Sequence, residues 1–111
     1  MSGISGSWDF GSPLFAPVSA SGSGATTIVT GVPGKKLRVM AANVIASNTV
    51  NVKWQTQSGA DLTGLAYITQ YSGYILGYCP IGWFETVAGD SLLINLSSGV
   101  PVGGHITYIL A

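Results

Sequence analysis

Charge is what this sequence has least of. Only 7% of its 111 residues are charged, four basic and four acidic, and the formal net charge is zero, whereas about 25% charged residues is typical of soluble domains. A surface so poor in charge favours self-association, so we expect other subunits to cover part of it. The basic cluster at 35–38 is too small to provide the positive field that nucleic acid requires, and we expect no nucleic-acid partner.

Cysteine and histidine each occur once, as Cys79 and His105. A single cysteine excludes a disulfide within the chain, which argues against a disulfide-stapled secreted scaffold. A single histidine excludes a pair of histidine metal ligands, and no motif relates the two residues as nucleophile and base. We interpret Cys79 as a small hydrophobic residue and His105 as a packed or surface residue.

The four carboxylates are scattered along the chain at Asp9, Asp61, Glu85 and Asp90. Asp61 and Asp90 lie in glycine-containing turns, where aspartate commonly bonds to the backbone. We expect Glu85 to pair with a Lys or Arg on a neighbouring strand. No turn carries the clustered oxygen ligands of a calcium site, and nothing assembles the two carboxylates of a glycosidase. The sequence therefore predicts no cofactor, no metal site and no enzyme.

Long apolar runs and helix signals are also missing. No segment approaches the ~20 apolar residues of a membrane helix, and the N-terminus lacks the basic and apolar regions of a signal peptide. We therefore expect no membrane partner. The longest helix candidate, 37–46, is rich in β-branched residues and has neither a cap nor a charged face.

Short apolar segments separated by turn residues are what the sequence does contain. In 49–56, the residues Val50, Val52 and Trp54 alternate with polar ones, which is typical of a half-buried antiparallel strand. Similar alternation occurs at 91–97 and 105–110, and weaker strand candidates are 25–32, 62–69, 74–79 and 83–87. Seven or eight such strands predict an all-β protein, and we favour a two-sheet antiparallel sandwich of jelly-roll type.

The first 24 residues differ in composition from the rest. Fourteen of them are Gly, Ser or Pro, a composition typical of segments without stable structure, yet they include large apolar side chains. We predict an extended N-terminal arm, 1–24, and a sandwich domain, 25–111, with the arm ordered by docking on a partner. The predicted anchors are Trp8, Phe10, Pro13, Leu14, Phe15 and Pro17.

Aromatic residues are concentrated between residues 67 and 84, where six lie within 18 positions. Three interpretations stay open: they fill the core, they form a subunit interface, or they line a platform for a sugar ligand. The candidates for a subunit interface are Tyr67, Tyr71, Tyr74 and Ile109.

Three glycine-led segments carry a resemblance to a known family: GKKLRV at 34–39, GWFET at 82–86 and GDSL at 89–92. With the turns between them, residues 34–111 resemble small β-sandwich proteins of tailed bacteriophages, of the head decoration (cement) type. The resemblance implies a structural virion protein on the capsid surface, assembled in the host cytoplasm, that binds the major capsid protein and forms a homo-oligomer, with a trimer favoured. The alternative is a receptor- or carbohydrate-binding module of a phage tail or fibre.

Overall fold

The computed structural model describes residues 12–111, and within them every regular element is a β-strand. The strands are β1 (Leu14–Ala20), β2 (Gly24–Val29), β3 (Leu37–Ala46), β4 (Val50–Thr56), β5 (Ala66–Ile68), β6 (Gly73–Leu76), β7 (Phe84–Glu85), β8 (Leu92–Leu96) and β9 (Val102–Leu110). The prediction of an all-β protein is confirmed.

The nine strands form two sheets in which all neighbours are antiparallel. The five-stranded sheet has the order β1-β9-β3-β6, with β7 pairing to the first part of β3. The four-stranded sheet has the order β2-β8-β4-β5. Most strand pairs are therefore formed between segments that lie far apart in the sequence.

One hydrophobic core lies between the two sheets. Along β4, the residues Val50, Val52 and Trp54 are at most 2% exposed, and the polar residues between them are half-exposed. The Trp54 ring packs against Phe84 of the other sheet, with ring centroids 5.8 Å apart. The predicted alternation at 49–56 is confirmed, because its apolar side supplies the centre of this core.

The last two predicted strands are also found, with changes at the ends. In β8, the residues Leu92, Ile94 and Leu96 are buried, as their alternation predicted. Strand β9 starts three residues earlier than predicted, at Val102, and is partly covered on both faces. Ile106 faces the core and Ile109, on the opposite face, is also buried.

The weaker strand candidates are shorter than the sequence indicated. The segments 62–69 and 83–87 contain only the short strands β5 and β7, and their remaining residues lie in the loops on either side of these strands. Hydrogen bonds tie these loops to the sheets, such as the one from the Leu62 amide to the Trp54 carbonyl, 2.8 Å long.

The N-terminal boundary of the domain differs from the expectation. Strand β1 pairs with β9 along its whole length, from Leu14 opposite Tyr108 to Ala20 opposite Val102. Its apolar face, which includes Val18, is buried in the core. Residues 14–20 therefore belong to the folded domain and not to a separate arm, because the chain's own β9 completes their pairing. Residues 1–11 of the predicted arm lie outside the described residues.

Candidate docking surface

The outer face of the four-stranded sheet is mostly polar, and its polar side chains bond to one another. Asn95 Nδ2 donates to Gln55 Oε1 over 3.1 Å, and Gln55 Nε2 donates to Asp61 Oδ1 over 2.9 Å. Lys53 Nζ lies 3.1 Å from the same carboxylate. The hydrogen bonds from Gln55 and Lys53 lower the pKa of Asp61. This face is well suited to contact with water.

The outer face of the five-stranded sheet carries exposed apolar side chains on its two sides, with Asn43 and His105 between them. Phe15 and Pro17 of β1 point outward, because they alternate with buried residues, and the Phe15 side chain is 75% exposed. On the other side of the face, Ile45 of β3 is 51% exposed and Ile75 of β6 is 73% exposed. Exposed apolar side chains grouped in this way are typical of surfaces that contact another molecule.

Tyr71 lies beside this face, in the turn between β5 and β6, and it is 76% exposed. Its backbone φ is +57°, a left-handed conformation that a bulky residue rarely adopts. The turn is held by Thr69 and Ser72: the Thr69 amide donates to Ser72 Oγ over 3.1 Å, and the Ser72 amide donates to the Thr69 carbonyl over 3.2 Å. These bonds fix the backbone that carries the Tyr71 ring.

Two grooves flank the ridge made by Ile45 and Tyr71. One has a volume of about 440 Å³ and is closed on its far side by Ser19 and Pro101. The other, of about 330 Å³, is bounded by Ile75. No charged residue lines either groove. We call Ile45, Tyr71 and Ile75 together the Tyr71 patch.

A third cavity, of about 370 Å³, opens between the edges of the two sheets near Trp83. The indole Nε1 of Trp83 donates to the Gly77 carbonyl over 2.7 Å, which holds the ring half-exposed at the rim. Leu65, Tyr74 and Phe84 line the remaining walls. This Trp83 groove is apolar and aromatic, with few polar groups to orient a ligand.

Charged residues of the five-stranded sheet gather at the end away from the Tyr71 patch. Glu85 of β7 pairs with Arg38 of β3, Nε to Oε1 2.9 Å, and with Lys36, Nζ to Oε2 3.1 Å. The expectation that Glu85 pairs across strands is confirmed. The hydrogen bonds from Arg38 and then Lys36 lower the pKa of Glu85.

Asp90 has a structural role in its turn. Its Oδ2 accepts hydrogen bonds from Thr56 Oγ1, 2.8 Å, and from the Ser58 amide, 2.9 Å. These bonds lower the pKa of the Asp90 carboxyl. They also join the turn after β4 to the turn before β8, as expected for an aspartate that bonds to backbone.

The two residues that sequence analysis considered for nucleophilic chemistry lie on different elements. His105 is exposed on β9, where its register partners are Pro17 and Asn43. Cys79 is half-buried in the loop after β6, and its amide donates to the Met40 carbonyl over 2.9 Å. Among residues 12–111, no group of three or more His, Cys, Asp or Glu is placed to hold a metal ion. The described part of the chain also has no helix that could cross a membrane.

The predicted arm anchors fall into two groups. Trp8 and Phe10 lie outside the described residues. Leu14, Phe15 and Pro17 lie on β1, and Pro13 precedes it. The structure therefore places the second group on the edge strand of the chain's own five-stranded sheet.

The four predicted interface residues do not share one surface. Tyr67 is 77% exposed on the four-stranded sheet, whereas Tyr71 lies by the five-stranded sheet. Tyr74 packs against the core, and its hydroxyl accepts a 2.9 Å hydrogen bond from Trp54 Nε1. Ile109 is only 4% exposed. Ile109 is thus an interior residue of the single chain, and Tyr74 is partly buried against its core.

Sequence analysis missed the exposed isoleucines of the Tyr71 patch. The residues Leu37 and Val39 face the core, so strict alternation would direct Ile45 inward as well. A register shift between Val39 and Ala41 moves the alternation by one residue, and Val44 faces the core instead. No residue in the segment signals this bulge, so the exposure of Ile45 could not be predicted.

No protein-family model, curated protein or solved structure matches this chain.

Proposed function

We propose that this protein is a structural component of a virion, an accessory decoration protein that binds an assembled capsid shell and stabilises it. The observation that carries the proposal is the set of apolar side chains exposed on the outer face of the five-stranded sheet: Phe15 and Pro17 at the β1 edge, and Ile45 and Ile75 on the other side. They are exposed on a domain whose other outer face carries a bonded polar network. A domain with exposed apolar clusters on one face and bonded polar side chains on the other is suited to docking on other protein subunits.

The strand order supports a jelly-roll topology for the sandwich. Strands that follow one another in sequence mostly alternate between the sheets, giving β1-β9-β3-β6 on one side and β2-β8-β4-β5 on the other. Jelly rolls occur in viral capsid proteins and in lectins. The strand order is evidence about the fold alone, and it favours the same two classes of protein as the sequence resemblance.

The proposed partner is the major capsid protein, and the proposed contact is the β1 edge with the segment that precedes it. Phe15 is exposed on this edge, and Leu14 is 37% exposed. Pro17 lacks an amide hydrogen and is best tolerated on an unpaired edge, so it limits further strand addition there. Attachment therefore depends on side-chain anchors, among which we include Trp8 and Phe10.

The proposal is tested by adding the purified protein to assembled heads that lack it and pelleting the particles. We expect saturable binding and a higher temperature of shell disruption. Phe15→Lys should weaken binding at least tenfold, because it puts a charge on an anchor. Ile81→Lys is the matched control, since Ile81 is 77% exposed in the loop after β6. Failure of the unmodified protein to bind would contradict the proposal.

The Trp83 groove favours a second candidate, a receptor- or carbohydrate-binding module. The indole ring is half-exposed and held by its hydrogen bond to Gly77, and planar rings stack on sugars. The candidate is tested by titrating glycans against the protein while following tryptophan fluorescence. Saturable quenching that Trp83→Ala abolishes would support it, and absence of any response across a broad glycan panel would exclude this groove as a sugar site.

A further inference from the structure

We infer that the Tyr71 patch is the contact through which copies of this chain associate. The inference rests on the proposed function and extends it, because it names the surface through which the decoration protein forms its homo-oligomer. It concerns a surface different from the β1 edge that we assign to the shell.

The first observation is the left-handed backbone conformation of Tyr71. Six other described residues have positive φ, and all six are glycine: Gly24, Gly34, Gly59, Gly82, Gly89 and Gly104. Only at Tyr71 does a bulky side chain occupy this region, where a non-glycine residue carries a conformational cost. The ring is 76% exposed and so gains little burial in return. Strain at an exposed residue points to a role outside the single chain.

The second observation is that several hydrogen bonds hold the turn around Tyr71. Besides the bonds from the Thr69 and Ser72 amides, Ser72 Oγ lies 2.9 Å from Thr69 Oγ1, and the Ser72 carbonyl accepts from the Ala46 amide over 2.9 Å. The turn is thus tied both internally and to β3. A turn whose backbone is held in place before binding loses little conformational entropy on association.

The shape of the patch favours a second copy as the occupant. The ridge of Ile45 and Tyr71 lies directly between two grooves of about 440 and 330 Å³. A surface that carries both a ridge and adjacent grooves can pack against its own copy, with the ring of one copy in the groove of the next. Contact of this kind closes into a ring of subunits if the rotation between copies allows it.

The charge of the patch favours the same occupant. No charged residue lines either groove, so packing two patches together leaves no charge buried without a partner. The chain has zero net charge, so approaching copies meet no net repulsion. At the β1 edge, Pro13 and Pro17 oppose association of two copies by strand addition.

Sedimentation velocity of the full chain across about 1–300 µM tests the inference without any shell present. We expect the unmodified protein to associate within this range and Ile75→Lys to raise the dissociation constant at least tenfold. The matched control is again Ile81→Lys, because Ile81 and Ile75 are 77% and 73% exposed. The control should associate as the unmodified protein does.

Tyr71→Gly separates an interface role from a structural one. Glycine removes the conformational cost at this φ, so the monomer at low concentration should melt at the same or a higher temperature. Association should nevertheless weaken at least tenfold, because the ring is gone. A lower melting temperature with unchanged association would show that the ring supports the fold instead, and would overturn the inference.

Other outcomes are equally decisive. A protein that stays monomeric at 300 µM overturns the inference, and so does association that survives both patch substitutions. Loss of association only on deleting residues 1–11 would assign the contact to that segment. Shell binding by a protein that never self-associates would defeat this inference and leave the proposed function standing, whereas self-association without shell binding would do the reverse.

Discussion

Two adjacent glycines in β9 are expected to respond very differently to alanine. Gly104 has a φ of +147°, and a Cβ there would collide with the Asn43 carbonyl oxygen. The nearest atom to a Cβ on Gly103 is the Val18 carbonyl oxygen, at an ordinary 3.9 Å. Gly104→Ala should lower the free energy of unfolding by about 1–3 kcal/mol. Gly103→Ala should change it by about 0.5 kcal/mol or less.

Urea denaturation of the two glycine variants gives the comparison. Equal stabilities would show that the close approach of β3 and β9 at Gly104 relaxes without cost.

The Trp54–Tyr74 hydrogen bond is expected to matter to the fold and not to association. The Trp54 side chain is fully buried, and its Nε1 donates to the Tyr74 hydroxyl over 2.9 Å. Tyr74→Phe leaves that donor unpaired, which should cost about 1–3 kcal/mol. Tyr67→Phe is the control, because its side chain is 77% exposed. Thermal melts measure both, and a neutral Tyr74→Phe would mean that Trp54 finds another acceptor.

Among single residues, the sequence predicted the core better than the surface. Val52 and Trp54 could be placed inside because alternation relates neighbours along one strand. The left-handed turn at Tyr71 could not be foreseen, because its sequence neighbours give no reason for a non-glycine residue to adopt that conformation. Its hydrogen bonds within the turn and to β3 depend on the folded structure.

Strand β1 makes a prediction at the scale of elements. Deleting residues 1–11 removes none of β1 and should leave the melting temperature within about 2 °C. Deleting residues 1–20 removes Val18 from the core, worth about 1.5–3 kcal/mol on burial, and leaves β9 unpaired on one side. The melting temperature should then fall by about 10 °C or more. A cooperative melt unchanged by the longer deletion would contradict the placement of β1 in the sheet.

Element boundaries show where sequence reasoning reached its limit. The arm predicted from the sequence includes residues 14–20, because glycine, serine and proline dominate their surroundings. Their partner β9 lies about 90 residues further along the chain, and composition carries no information about so distant a pairing. The bulge in β3 is a similar case, since it reverses the outward direction at Ile45 without any local sequence signal.

For the whole molecule, three carboxyl groups should make stability decline in acid. The carboxyl groups of Asp61, Glu85 and Asp90 all have lowered pKa values, since each accepts hydrogen bonds as the anion. Their contribution is complete above the ordinary values of 3.8 and 4.5 and is lost as the pH falls through the lowered ones. The melting temperature should stay level from about pH 5 to 8 and decline below about pH 4.

Calorimetry across this pH range checks the expectation, with Asp90→Asn as the variant whose acid decline should be smaller. A melting temperature that rises on acidification would show that these carboxylates are not stabilised as anions.

The low charge of the sequence predicts self-association, but it does not identify the surface through which the copies associate. The exposed apolar side chains of the five-stranded sheet come from β1, β3 and β6, and only the strand order brings Phe15, Ile45 and Ile75 onto one sheet. Composition reports how many apolar residues a chain has, and topology decides which of them remain exposed.

The most direct test of the proposed function is a cryo-EM map of intact virus particles that contain this protein. The account predicts sandwich-shaped density at repeated lattice positions on the outer surface of the head, in clusters of copies, with the β1 edge toward the shell and the Tyr71 patch between copies. Density confined to the tail tip, or particles whose heads carry no such density, would contradict it.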